Sequence, residues 1–248
     1  MSRSSRPVAL VNDAGSYVGP ELTRALATRG FDLVLGDPAE GLVDEVERSG
    51  ANVAIVSGVR DLSFPESSLR LVDSALSRFG RLDSAQMFSG RIVTGRFLNS
   101  TIDDLRAVSA GCIEAPYHFL KAVLPPMIES GGGQILVITS ASAARPTPGA
   151  PLYSAARAGA TMLVKNVAME MARHGIQVNA VGTNFMDFPE FLKASGATDP
   201  DVRAKIASQV PLGRLGTMTE FASFCMPFVD GTSRFTTGQF IAYAGGWV

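Results

Sequence analysis

The sequence predicts an α/β chain: one domain in which strands and helices alternate around a doubly wound parallel sheet. Short apolar runs at 8–11, 31–35, 134–140 and 176–181 are separated by stretches with helical spacing. The 248 residues fit a single domain, and no linker-like run or internal repeat argues for a second. Hydrophobic residues make up 46% and glycines number 25, which suits a large buried sheet with many tight turns. A net charge of −1 gives no reason to expect nucleic acid or an anionic membrane as partner. Cys112 and Cys225 fall in helical patterns and form neither a disulfide framework nor a metal-ligand spacing, so no metal is expected. The opening Met-Ser-Arg-Ser-Ser-Arg leads into an apolar run too brief for a signal peptide or a membrane span, so a soluble, cytoplasmic protein is expected.

The first strand, Val8 to Val11, runs into Asn12-Asp-Ala-Gly-Ser-Tyr-Val-Gly19. Pro20 then opens a helix that closes near Gly30, a placement both residues favour. In a Rossmann-like dinucleotide fold this turn carries glycines so that backbone can approach the pyrophosphate. Here Asp13 puts negative charge near the phosphates and the Tyr17 ring fills the space beside them, so no cofactor is expected. The second strand, Phe31 to Leu35, ends in Gly36-Asp37. An acid there ordinarily binds an adenosine ribose, but Asp before Pro is also a turn residue. Asp61-Leu62 follows the third strand, and a helix from Ser67 to Phe79 leads to a fourth near Leu82 to Phe88, ending Met87-Phe88-Ser89-Gly90.

A long helix is expected from about Thr101 to Met127, bent at Pro116. His118 on it and His174 before Gly175 read as packing and helix-end histidines. Next come a strand from Gln134 to Ser140, a loop with Pro146, Pro148 and Pro151, and a helix that opens at Tyr153. Arg157 follows Tyr153 by four residues, so a phenol and a guanidinium leave one helix face a turn apart. Ala155, Ala156, Ala158, Gly159 and Ala160 let another backbone come close, and Leu163, Val164, Val167 and Met171 make a buried face. The sixth strand, Ile176 to Val181, gives way to Gly182-Thr-Asn-Phe-Met-Asp-Phe-Pro189, and Phe188, Phe191 and Leu192 are placed to cover the site. A helix from Thr219 and the run Thr237 to Trp247 close the chain.

The strand end at Ser140, the thirteen-residue gap to Tyr153 and the following basic residue resemble the active site of the short-chain dehydrogenase/reductase superfamily, and the resemblance spans essentially the whole chain. It implies the superfamily's single Rossmann-like, doubly wound parallel sheet flanked by helices. Several positions depart from its pattern. Arg157 stands for the lysine, Cys112 for the tetrad asparagine, Asp13 and Tyr17 for two glycines, and Met87-Phe88 for two amides. Arginine keeps its proton at any ordinary pH, so Arg157 serves as a fixed charge and not as a relay. That charge favours the ionised phenol and makes Tyr153 the candidate general base.

With Ser140, Tyr153 and Arg157 behind a tyrosine-blocked first turn, the chain is similar to the halohydrin dehalogenases, whose marker Thr-x-x-x-x-Phe/Tyr-x-Gly matches Asn12, Tyr17 and Gly19 except at the threonine. The resemblance implies cofactor-independent conversion of vicinal haloalcohols to epoxides, with release of halide and a proton. It also implies epoxide opening by azide, cyanide or nitrite. Residues 1–248 then form one domain with an anion and substrate pocket in place of the dinucleotide site. Tyr17, Thr183, Phe185 and Met186 are the expected halide- and substrate-binding residues. Two rivals stay open: an NAD(P)-dependent short-chain oxidoreductase with an atypical glycine loop, and a non-catalytic relative. The superfamily habit of pairing through the helices at Thr101 and Tyr153 implies a homotetramer.

Overall fold

The structure, a computed structural model, describes residues 5–88 and 90–248; Met1 to Ser4 and Ser89 lie outside the described residues. Nine strands and nine α-helices follow one another along them. β1 (Val8–Val11), α1 (Gly19–Thr28), β2 (Asp32–Gly36), α2 (Leu42–Arg48), β3 (Val53–Val56), α3 (Pro65–Phe79) and β4 (Ser84–Phe88) build the first half. α4 (Ile102–Ser109), α5 (Ala115–Ser130), β5 (Gly133–Ser140), α6 (Pro151–Met171) and β6 (Ile176–Thr183) build the second. The last part holds β7 (Met186–Asp187), α7 (Pro189–Ser195), α8 (Pro200–Ala207), β8 (Gly216–Thr217), α9 (Met218–Val229) and β9 (Phe240–Tyr243).

Seven strands form one parallel sheet in the order β3-β2-β1-β4-β5-β6-β9, and β7 pairs with β8 in a two-residue ladder. A parallel sheet needs cover on both faces, and the sequence of β1 shows how it is supplied. Val8 and Leu10 face a core closed by Leu71 and Phe79 of α3, Phe119 of α5 and Val164 of α6. Ala9 and Val11, one residue out of phase, face a core closed by Leu22 and Leu26 of α1 and Phe221 of α9. Strand order reverses between β1 and β4, so the crevice outside their C-terminal ends is where a sheet of this kind takes its ligand.

Local chemistry sets the helix ends. Pro20 and Pro65 sit in the first turns of α1 and α3, where a missing N–H breaks no helical bond. Thr101 with Asp104, and Thr217 with Glu220, make reciprocal capping boxes on α4 and α9.

The single helix expected from Thr101 to Met127 is two helices. A π-helical turn over Ala110–Glu114 separates α4 from α5, and Pro116 lies in the first turn of α5. The interruption therefore belongs to the extra residue of the π turn, not to a proline inside a continuous helix. The segment that follows Asp187 carries α7 and α8; Asp199 caps α8 by accepting from the N–H groups of Asp201 and Val202.

Candidate active site

Ser140 ends β5 and Thr183 ends β6, paired to one another across the sheet. Gly182 makes this approach feasible, because a Cβ there would stand 2.6 Å from the Ser140 carbonyl. Ser140 is buried, and its Oγ accepts from Ser142 N–H at 3.2 Å and from Ser142 Oγ at 2.9 Å. With both acceptor positions used, its own proton is the group left to donate. The Thr183 carbonyl lies 3.5 Å away, long enough for a substrate oxygen to compete for that proton.

Tyr153 and Arg157 lie on the first half of α6, which packs on the turn after β5 and on the π turn. The Arg157 guanidinium carbon is 5.1 Å from the centre of the Tyr153 ring. Only 6% of Arg157 is exposed. Burial works against its charge, yet the charges of Tyr153 and Cys112, a side-chain hydrogen bond to Tyr153 and the charge of Tyr17 outweigh it, and the guanidinium is held still more firmly protonated than usual. Tyr153 packs against the buried cluster of Val108, Cys112 and Ala156, as do Val93 and Leu152, so the pair works in apolar surroundings.

Tyr17 occupies the crevice at the reversal of strand order. Its φ of +50° is left-handed, which costs a non-glycine residue about 1–2 kcal/mol. Edge-on contacts to Phe88 at 5.3 Å and Phe188 at 4.8 Å, worth about 0.5–1.5 kcal/mol each, offset that cost. A 2.5 Å hydrogen bond joins its hydroxyl to Thr183 Oγ1. Burial pushes the Tyr17 phenol far above its ordinary range, so it stays neutral.

The first turn is stiffer than its sequence suggested. Asn12 clamps β1 to β4, accepting from Phe88 N–H at 2.9 Å and donating to Phe88 C=O at 3.0 Å. Asp13 accepts from Gly15 N–H and Ser16 Oγ and is paired with Arg60 at 3.0 Å, so its negative charge is neutralised, a partner that no spacing in the sequence revealed. Gly19 is needed because a Cβ would meet the Asp13 carbonyl at 1.9 Å. Asp37 spends its carboxylate on the N–H groups of Gly58 and Val59, and Asp61 on Ser63, as turn residues do.

The residues expected to bind halide lie on two sides of the β6 end, with Tyr17 and Met186 in one apolar cluster. Tyr17 and Thr183 meet, but Phe185 has a φ of +55° that turns its ring onto Trp247 at 5.6 Å, and its carbonyl accepts from Gly216. Phe185 and Met186 line a cavity of about 100 Å³ with Arg214, Glu220 and Tyr243. The expected cover is present in part: Phe188 lies on Tyr17 and is followed by Phe191 at 6.0 Å. His118 rests on Tyr117, and both cysteines are buried free thiols.

Residues 14–248 match the family model described as enoyl-(acyl carrier protein) reductase. The chain is 27% identical over 250 aligned residues to 2,5-dichloro-2,5-cyclohexadiene-1,4-diol dehydrogenase LinX of Sphingobium indicum, covering 99% of this chain and 98% of LinX. It is 31% identical to the uncharacterized oxidoreductase YohF of Escherichia coli, covering 97% and 95%. A solved 7alpha-hydroxysteroid dehydrogenase complexed with NADH and 7-oxo glycochenodeoxycholic acid superimposes with a TM-score of 0.86 at 26% identity, covering 98% of this chain and 95% of that one. These relatives are dehydrogenases and oxidoreductases, which corrects the expected haloalcohol lyase and the halide-binding role that came with it. A tyrosine in the first turn and an arginine after Tyr153 do not by themselves mark a lyase, since the likeness that covers the chain is to oxidoreductases. With the strand order, the Ser140–Tyr153 spacing and a family match over nearly its full length, this chain belongs to the short-chain dehydrogenase/reductase superfamily, in the family described as enoyl-(acyl carrier protein) reductase.

Proposed function

We propose that the chain acts as a short-chain oxidoreductase on a small substrate bearing a hydroxyl or carbonyl group, with a nicotinamide dinucleotide as the partner that takes up or gives back the hydride. Ser140 donates to the substrate oxygen and Tyr153 Oη moves its proton. The observation that carries this reading is the placement of Tyr153 under the buried Arg157 guanidinium, on the helix that follows the Ser140 strand. A general base held in place on a rigid helix is worth about 10²–10⁴ in rate. The apolar neighbours Val93 and Leu152 favour a small substrate with little polarity beyond the reacting oxygen.

The dinucleotide used by the superfamily's oxidoreductases does not fit the crevice as these residues stand. Tyr17 fills it and is latched to Thr183, and the carboxylates of Asp13 and Asp37 are engaged with the protein's own groups. Dinucleotide entry therefore requires Tyr17 to leave.

Turnover of a panel of small secondary alcohols and ketones with NAD(H) and NADP(H) tests the reading. Activity in the wild type that falls at least about a hundredfold in Tyr153→Phe, with an unchanged circular dichroism spectrum, is expected. Equal turnover by the variant would remove Tyr153 from the chemistry.

A further inference from the structure

We propose that Gly90 is a positioning residue for Arg157: the backbone just past β4 forms the seat against which the guanidinium is held over Tyr153. A Cβ at Gly90 would stand 2.0 Å from Arg157 Nη2 and 2.7 Å from Cζ, closer than any real contact. A terminal guanidinium can usually swing out of the way. This one is 6% exposed and lies 5.1 Å from the Tyr153 ring centre, so a buried guanidinium that yields to a Cβ shifts relative to that ring. Gly90 also has a φ of +151°, a conformation open to glycine.

The seat is fixed from its other side. A Cβ at Gly111, in the π turn, would meet Arg91 N at 2.7 Å, and Cys112 Sγ lies 4.0 Å from the Arg91 carbonyl. The same turn packs on α6, where a Cβ at Gly159 would touch Ile113 at 3.4 Å. Gly90 and Arg91 are thus held between the π turn and Arg157, and both neighbours are referenced to the helix that carries Tyr153. The π turn acquires a use here: it brings Gly111 close enough to brace the loop that braces Arg157. An arginine side chain has more reach than a lysine and ends in a rigid fork, so its orientation must be set by a surface of this kind.

The inference rests on Tyr153 and Arg157 being the reactive pair of the proposed function, but its test needs no turnover. The readout is the pH midpoint of the tyrosinate absorbance that disappears in Tyr153→Phe, measured in the wild type, Gly90→Ala, Arg157→Met and the double variant, together with each melting temperature. Methionine fills the arginine stem but lacks both clashing atoms. Gly90→Ala is expected to move the midpoint in the Arg157 protein and to leave it unmoved in the Arg157→Met background. The melting temperature lost to Gly90→Ala should be partly recovered in the double variant. An unmoved midpoint in Gly90→Ala, or an equal shift in both backgrounds, would overturn the proposal. If Gly90→Ala fails to fold, a folded double variant supports it, and a double variant that also fails overturns it. Shifts as expected in a protein that turns over no alcohol or ketone would keep this role and discard the oxidoreductase reading.

Discussion

Arg157 shows how one residue alters a site without moving it. A lysine there could pass a proton; a guanidinium cannot, and its contribution is charge and shape. Arg157→Met, which removes the charge and keeps the stem, should therefore move the pH profile of activity, and a profile that stayed in place would leave Arg157 with packing alone. At the opposite wall, Gly182→Ala would drive a Cβ into the Ser140 carbonyl at 2.6 Å. The expected result is a loss of about 1–3 kcal/mol in denaturant unfolding, accompanied by lower turnover because Ser140 is displaced. The residue types at 140, 153 and 157 were readable from the sequence because their spacing depends on one strand, one loop and one helix. The partner of Asp13 was not, since Arg60 arrives from beyond β3.

Among the elements, β1 could be bounded from its sequence alone, as a buried parallel strand reads as an unbroken apolar run. The division of α4 from α5 could not, because a π turn changes hydrogen-bond spacing without a distinctive composition. Phe185 escaped the sequence for a related reason: its left-handed φ accompanies a contact with Trp247, which lies beyond the last strand and far along the chain. The capping box of α9 gives this scale a pH prediction. Arg214 and the Thr217 groups hold Glu220 at about 2, against an ordinary 4.5. A carboxylate depressed in the folded state stabilises above its unfolded value and ceases to do so as pH falls toward the folded one. That contribution is complete above 4.5 and disappears toward 2. Glu220→Gln should flatten the acid limb of a melting-temperature profile in this window, and an identical limb would deny the pair any role.

For the whole molecule, the alternation of strands and helices foretold a parallel sheet, and its order is that of a doubly wound fold. No described helix is long and apolar enough to cross a membrane. Leu98, Met162 and Met169 stand exposed near and on the helices beside the site, and we propose that copies associate there as a homotetramer. Light scattering should give four times the 26.1 kDa chain mass, and a monomer would refute it. What separated fold from activity was the crevice at the β1–β4 reversal, where a fold that holds a dinucleotide in a relative meets a half-buried tyrosine. A chain whose competent state requires Tyr17 to leave binds with an affinity reduced by the fraction in that state. Calorimetric titration of NADH and NADPH into the wild type and Tyr17→Gly tests this most directly. Binding at least about tenfold tighter in the variant is predicted, whereas equal affinity in the two proteins would show that Tyr17 does not close the crevice.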